Sequence, residues 1–350
     1  MNRKLALSLI AGVVLAVAVG ASSAVAACTP TGFFRDSMDL TAAVIATGDI
    51  SDQTIDATGC NIGIYYGPGT SGTVENSEVS NSNYFGIVVT GEDSLGNIGT
   101  TSVDVTSNKI HNIGENPFNG TQHGVGVYYF ASSDGASATG AISGNMVYLY
   151  QKGGIVANEP NAAVSISENT VTGIGPVPYI AQNGIQIGFG GDGLIMRNAV
   201  TGNSYTGPNL ASSSGILIFG GCGSALTTGV RIVKNVVGSI TPTDGNDIGV
   251  ALANYDPTCS IAPTTATNNK VINNTITNTQ ITNKSGNGTP VTGYQAGIYD
   301  SGNNDKLINN DIAGAGYAPS GCVLMPGTET CAVDGSAGLR VKNHANSFGP

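Results

Sequence analysis

The sequence predicts an all-β solenoid, a stack of coils made of short parallel strands, and three observations carry that prediction. The first is composition: 51 glycines and 40% apolar residues, with only 10% charged residues and no tryptophan. The second is texture, since Val, Ile, Thr and Tyr cluster in short runs punctuated by Gly and Asn, as strands between tight turns do. The third is repetition. An apolar residue, an Asn and another apolar residue recur in register at Asn76, Asn108, Asn145, Asn169, Asn198, Asn235, Asn274 and Asn310. Alternating strictly with them come Gly63-Ile64, Gly86-Ile87, Gly124-Val125, Gly154-Ile155, Gly184-Ile185, Gly215-Ile216, Gly249-Val250 and Gly297-Ile298.

The chain opens with a leader. Arg3 and Lys4 precede an apolar run from Leu5 to Val19 that ends in Ala24-Val25-Ala26, a small-x-small cleavage site, so residues 1–26 read as a secretory signal peptide. No later stretch is long and apolar enough to suggest a transmembrane segment. An exported chain with 6 cysteines points to disulfides, and sequence order pairs Cys28 with Cys60, Cys222 with Cys259 and Cys322 with Cys331. Val25-Ala26-Ala27-Cys28 also resembles a bacterial lipoprotein box, in which Cys28 would carry lipid; that alternative leaves an odd cysteine. The formal charge of −10 becomes more negative once the leader is removed, which argues against nucleic acid as a partner.

The spacing of the repeats ranges from about 23 to about 48 residues, so the strands hold register while the segments between them absorb insertions, as solenoid coils do. Strands of successive coils lie about 4.8 Å apart. An Asn at one corner of every coil can therefore bond its amide to its neighbours, and Asn tolerates the left-handed backbone of a tight corner. These asparagines are assigned to the fold rather than to catalysis.

With the Asn ladder and the Gly-Ile strand starts in place, the chain resembles the right-handed parallel β-helix proteins of the pectate-lyase-like superfamily over residues 50 to 345. The resemblance implies the fold: a β-helix over residues 51–350 and an N-terminal cap over 27–50, for which Arg35 to Ala46 is the expected amphipathic helix. It does not imply one activity, because that superfamily includes lyases, hydrolases, epimerases, tailspikes and surface proteins. The coils also make the cysteine pairing reachable. Cys222 and Cys259 fall in equivalent loops of consecutive coils, and Cys28–Cys60 ties the cap to the first coil.

Function is expected on the outward side of the Gly-Ile strands and in the loops after them. One residue beyond the inward Ile or Val stand Tyr65, Val88, Gly126, Val156, Gln186, Leu217, Ala251 and Tyr299, a column without charge. It lacks the Arg or Lys that a lyase of anionic polysaccharides needs. The loops carry Glu92, Asp93, Asp134, Glu159, Asp192, Asp256, Asp300 and Asp305, which could serve a glycosidase, bind calcium or only keep the edge solvated. His123, with Tyr128 and Asp134 downstream, is the sharpest acid–base candidate. His123-Gly124 resembles the histidine-glycine step of polygalacturonases, but the companion aspartate motifs are absent. Glu168, Arg197 and Lys234, each just before a ladder asparagine, read as a surface ion-pair ladder.

Two functions of different class follow. One is an enzyme, a hydrolase or lyase that cleaves or modifies a neutral or weakly acidic polysaccharide, with His123, Glu159 and Asp192 as catalytic residues and Tyr65, Tyr128, Gln186 and Tyr299 as the substrate-binding groove. The other is a non-catalytic cell-surface or matrix protein that binds envelope glycan or a second copy of itself; under either, the protein is expected to be secreted, periplasmic or at the cell surface. Neither reading assigns a cofactor from the sequence, and calcium is the one candidate ion.

Overall fold

The computed structural model describes residues 27–239, 245–281, 294–317, 330–334 and 342–348. The leader and Cys322 lie outside these residues. Three long sheets run the length of the molecule, each built from one strand per coil. A typical coil runs Gly153–Asn158 on the first face, Ala162–Ser167 on the second and Thr170–Val177 on the third, before Asn183–Gly188 returns to the first. All neighbouring strands within the sheets are parallel except the first pair, Thr29–Arg35 and Met38–Ala46. The fold is a right-handed parallel β-helix, the hand that crossovers between parallel strands adopt.

Its interior is filled by one apolar column from each face. Ile64, Ile87, Val127, Ile155 and Ile185 of the first face, Val105, Ile142 and Ile166 of the second, and Val79, Ile110 and Val171 of the third are all fully buried. Each side chain contributes about 1.5–3 kcal/mol of burial, so every coil added to the stack is driven by apolar surface that only its neighbours can cover.

The glycine before each inward Ile is dictated by space. A Cβ on Gly154 would lie 2.5 Å from the Gly184 carbonyl oxygen and 2.5 Å from Val171 Cγ1. The same collision recurs at Gly63, Gly86, Gly126, Gly184, Gly215, Gly249 and Gly297. Here the strand passes so close to the next coil and the third face that no side chain fits. This column corrects the sequence reading at one coil: its members are Gly126 and Val127, not Gly124 and Val125, because Val127 pairs with Ile87 and Ile155. The outward column therefore carries Tyr128, not Gly126, between Val88 and Val156.

The asparagine ladder stands at the corner between the second and third faces. Asn169 is typical: its Nδ2 donates to Asn198 Oδ1 at 2.9 Å and to the Ile142 carbonyl at 2.8 Å, and its Oδ1 accepts from the backbone N–H and the Nδ2 of Asn145. The chain continues from Asn108 to Asn310 and on to Asn346, which the sequence reading did not include. Asn76 is not a member. Ser77 holds the slot and donates its backbone N–H to Asn108 Oδ1, while Asn76 takes the residue before it. That preceding residue is the one with the left-handed backbone, as in Asn76 (φ 49), Glu168 (φ 59), Arg197 (φ 57) and Lys234 (φ 57). Long charged side chains are tolerated there because the ladder fixes the corner and their side chains point to solvent. Arg197 Nη1 meets Glu168 Oε1 at 3.2 Å, the ion pair expected of this row.

The N-terminal helix expected at Arg35 to Ala46 is instead a β-hairpin, Thr29–Arg35 and Met38–Ala46, turning at Asp36 and Ser37. Met38–Ala46 has its own reasons to be extended: Leu40, Ala42 and Ala46 are buried at every second residue or multiple of it, with β-branched Thr41, Val44 and Ile45 among them. It adds to the first face by pairing with Ile62–Tyr66, which gives the open edge hydrogen-bond partners that a helix would not. Cys28–Cys60 (Cα–Cα 5.3 Å) and Cys222–Cys259 (Cα–Cα 4.6 Å) are disulfides as the coil arrangement predicts. Cys331 is also disulfide-bonded. Among the described residues no helix is long and apolar enough to cross a membrane.

Candidate functional site

The hairpin does more than close the stack. Its first strand lies over the outside of the first face, where the Phe33 ring packs against Tyr65 (6.1 Å between centroids), Phe85 (6.3 Å) and Phe130 (5.9 Å). This apolar cluster buries Tyr65 to 3% exposure and removes it from the substrate groove assigned to it. The Arg35 guanidinium closes the cluster, 4.0 Å from the Phe33 ring centroid and 4.5 Å from that of Phe130.

Where the hairpin ends, a groove of about 390 Å³ opens along the first face. Arg35, Asp36, His123, Tyr128, Lys152, Asn158 and Gln186 are among its walls, with Tyr84, Phe189 and Phe219 as aromatic surfaces. His123, Tyr128 and Gln186 were expected here from the sequence; the structure brings them together.

His123 is held on three sides. Its ring stacks on Tyr84 at 3.8 Å, Nε2 lies 2.7 Å from Glu115 Oε1, and Nδ1 lies 4.0 Å from Asp36 Oδ2. Tyr84 donates its hydroxyl to the same Asp36 oxygen at 3.0 Å; burial and the aspartate push the phenol up to about 12. The loop carrying Glu115 and His123 is long, and the buried Gln151 fixes it. Gln151 Oε1 accepts from the backbone N–H groups of Glu115 and Asn119, and Nε2 donates to the Thr121 carbonyl and hydroxyl.

Lys152 starts the next coil on the groove floor. Its Nζ donates to the Ala181 carbonyl at 2.9 Å, and burial lowers its pKa to about 8. Burial likewise raises the Tyr128 phenol, against Arg35 and Asn158, which favour its ionised form. Gln186 is oriented from both ends, donating to Asn158 Oδ1 and accepting from Asn183 Nδ2, each at 3.0 Å.

The remaining predicted residues are elsewhere. Glu159 follows the groove-lining Asn158 but does not itself line the groove; burial and then Glu92 raise its carboxyl while Arg35 opposes them. Glu92 is itself engaged: burial would raise it, but hydrogen bonds from Ser132 and Ser133 outweigh that and hold it low. Asp192 is exposed at the start of the second-face strand Asp192–Met196, off the groove. Tyr299 lies three coils beyond Gln186 in the same column, about 14 Å along the axis at the strand spacing. It belongs to a separate aromatic group, its hydroxyl 3.3 Å from that of Tyr255 and its ring edge-on to Tyr294. Asp300 and Asp305 are not edge acids at all but fully buried.

The charged groups missing from the outward column are supplied from outside it. Arg35 comes from the hairpin, and Lys152 from the residue before the strand, in the position that Tyr84 and Gly124 occupy in earlier coils. The sequence held one usable signal, the lysine directly before Gly153-Gly154-Ile155. Among the described residues no group of three or more His, Cys, Asp or Glu is disposed to hold a metal ion.

No family model and no curated protein matches the chain. Among solved structures, a double mutant of the periplasmic alginate epimerase AlgG is similar over 87% of this chain and 70% of its own, at 14% identity and a TM-score of 0.52. The A-module of the Azotobacter vinelandii mannuronan C-5 epimerase AlgE4 covers 86% of this chain and 85% of its own, at 12% identity and a TM-score of 0.43. The first of these likenesses is one of fold.

Proposed function

We propose that the protein acts outside the cytoplasm on an acidic polysaccharide bound along the first face, and that its chemistry is proton abstraction next to a uronate carboxylate. One observation carries this reading: a single groove gathers two cations, Arg35 and Lys152, with a carboxylate-held imidazole and a buried phenol. The substrate carboxylate lies against Arg35 and Lys152, whose charge stabilises the enolate formed when the neighbouring carbon loses its proton. His123 accepts that proton on Nδ1, because Glu115 accepts from Nε2 and stabilises the imidazolium. Tyr128 is the donor in the same groove. Protonation of the enolate from the other side gives an epimer, and loss of the β-substituent gives an unsaturated product with chain cleavage. Hydrolysis fits less well, since Asp36 is the only carboxylate among the groove-lining residues and a glycosidase uses two. The alginate epimerase that shares the fold is named for an acidic polysaccharide, but a fold alone does not carry an activity. The leader and the disulfides support a periplasmic or extracellular site of action.

The test is a panel of acidic and neutral polysaccharides incubated with the mature protein in deuterated buffer. Unsaturated-product absorbance, new reducing ends and deuterium at the carbon next to the carboxylate are followed together. His123→Ala is expected to lower turnover by about 10²–10⁴. Unchanged turnover in that variant would sink the mechanism. Binding without turnover on any acidic polymer would favour the non-catalytic surface protein.

A further inference from the structure

We infer that a second cleft beside the groove binds an uncharged sugar residue, so that the ligand is a heteropolysaccharide carrying both acidic and neutral units. The acidic half of this statement rests on the proposed groove; the neutral half does not. The cleft, about 600 Å³, crosses the corner leading from the third face into the first over three successive coils. Asn81, Asn83, Asn112, Asn116, Glu115 and Phe118 line it.

The Asn81, Asn83 and Asn112 amides are braced. Asn112 Nδ2 donates to Asn81 Oδ1 at 3.2 Å, Asn81 Nδ2 to Asp56 Oδ1 at 2.9 Å, and Asn61 Nδ2 to Asn83 Oδ1 at 3.0 Å. Asn83 Nδ2, Asn112 Oδ1 and both ends of the Asn116 amide have no hydrogen-bond partner among the described residues. Fixed amides with a spare donor on one and a spare acceptor on another suit vicinal hydroxyls, which each give and take one hydrogen bond. The half-buried Phe118 ring supplies an apolar surface for a sugar's C–H face.

Charge separates this cleft from the groove. No Lys, Arg or His lines it, while Glu115 and the Asn81-bound Asp56 stand at its margin, so a second carboxylate would be repelled. The two cavities meet across one pair of side chains: Glu115 faces the cleft, and His123, 2.7 Å from it, faces the groove. A chain with its acidic unit at Arg35 and Lys152 therefore passes across this pair from the groove into the cleft.

The experiment is calorimetric titration of the mature protein with three probes of equal length: a homopolymeric uronate oligosaccharide, an oligosaccharide alternating uronate with neutral hexose, and a neutral hexose oligosaccharide. The alternating probe is expected to bind about tenfold more tightly than the uronate homopolymer, the equivalent of one or two net hydrogen bonds. Asn83→Ala should remove most of that preference and leave homopolymer binding within about twofold. Asn112→Gly, which keeps its left-handed backbone accessible (φ 55), is the second variant and should act alike. Equal binding of the first two probes, unmoved by either variant, would overturn the inference. Tight binding of the neutral probe that is lost in Asn83→Ala and indifferent to Lys152→Met would support the cleft while refuting the groove.

Discussion

Replacing Asn169 by Ala should cost about 3–5 kcal/mol, far more than the small volume lost. The figure follows from what is stranded. Asn169 is 1% exposed, and its side chain makes four hydrogen bonds: two accepted from Asn145 and one donated each to Asn198 Oδ1 and the Ile142 carbonyl. Truncation leaves the buried backbone N–H of Asn145 and the carbonyl of Ile142 without these partners, at about 1–3 kcal/mol each. Asn145 Nδ2 keeps the Val105 carbonyl, and Asn198 Oδ1 keeps the Asn169 backbone N–H, so those two losses are partial. Asn169→Ser should fall between, because Ser77 fills the equivalent slot naturally, accepting from the Gln53 N–H and donating to the Glu75 carbonyl. The assay is urea unfolding followed by circular dichroism and by hydrogen exchange, since a solenoid can lose coils around the lesion before the rest. A cost for Ala below about 1 kcal/mol, or no loss of protection in the flanking coils, would refute the view that the ladder is a buried, interdependent network.

Gly154→Ala places a Cβ 2.5 Å from both a backbone oxygen and a valine methyl, and is expected to destabilise by about 1–3 kcal/mol, whereas Gly59→Ala, with open space but a left-handed backbone (φ 88), should cost nearer 1 kcal/mol; paired melts compare them. Lys152 loses its charge as pH rises through about 8, so affinity for an acidic oligosaccharide should fall between pH 7 and 9, and Lys152→Arg should extend binding to higher pH in the same titration. Asp300, raised to about 8 by burial and by the neighbouring Asp305 carboxylate, is protonated in the fold but ionised in the unfolded chain above its ordinary value near 3.8. Folding therefore takes up a proton there, and this contribution to stability is full below the carboxyl's ordinary value and is lost as pH rises through its raised one. Asp300→Asn, which offers Asp305 a permanent donor, should flatten that slope in melts from pH 5 to 8; an unchanged slope would show that the pair does not share a proton.

Much of the fold was legible in the sequence, and the reason is that its determinants repeat. Most coils carry an inward Ile or Val, a glycine where two coils nearly touch and an asparagine at one corner, and these recurring demands mark the sequence; the exceptions are Ser77 in the asparagine slot and Ala43 and Ala332 in the glycine slot of the outermost coils. Where one coil carries two Gly-Val steps, at Gly124 and Gly126, the text alone chose the wrong one, and a two-residue error moved Tyr128 out of the outward column. Only the hydrogen-bond register with Ile87 and Ile155 resolves it. The hairpin was misjudged for a related reason: local patterning over Arg35 to Ala46 is compatible with either a helix or a strand, and the free edge of Ile62–Tyr66 decides for the strand.

The site divides along the same line. His123, Tyr128 and Gln186 could be picked out as chemically suited residues near the first face, because each belongs to or adjoins a recurring strand. Arg35 and Lys152 could not be placed with them. The guanidinium reaches the groove only because an N-terminal strand folds back over an aromatic cluster assembled from three other coils, and Lys152 joins it because the residue before its strand falls on the groove floor. The burial of Tyr65, Asp300 and Asp305 is of the same kind, set by what packs over or beside them. The sequence by itself determined the repeat, since a periodic backbone imposes periodic side-chain demands. The tertiary structure alone decided which aperiodic residues converge, since their proximity depends on insertions of different length folding over shared coils, and no spacing along the chain records it.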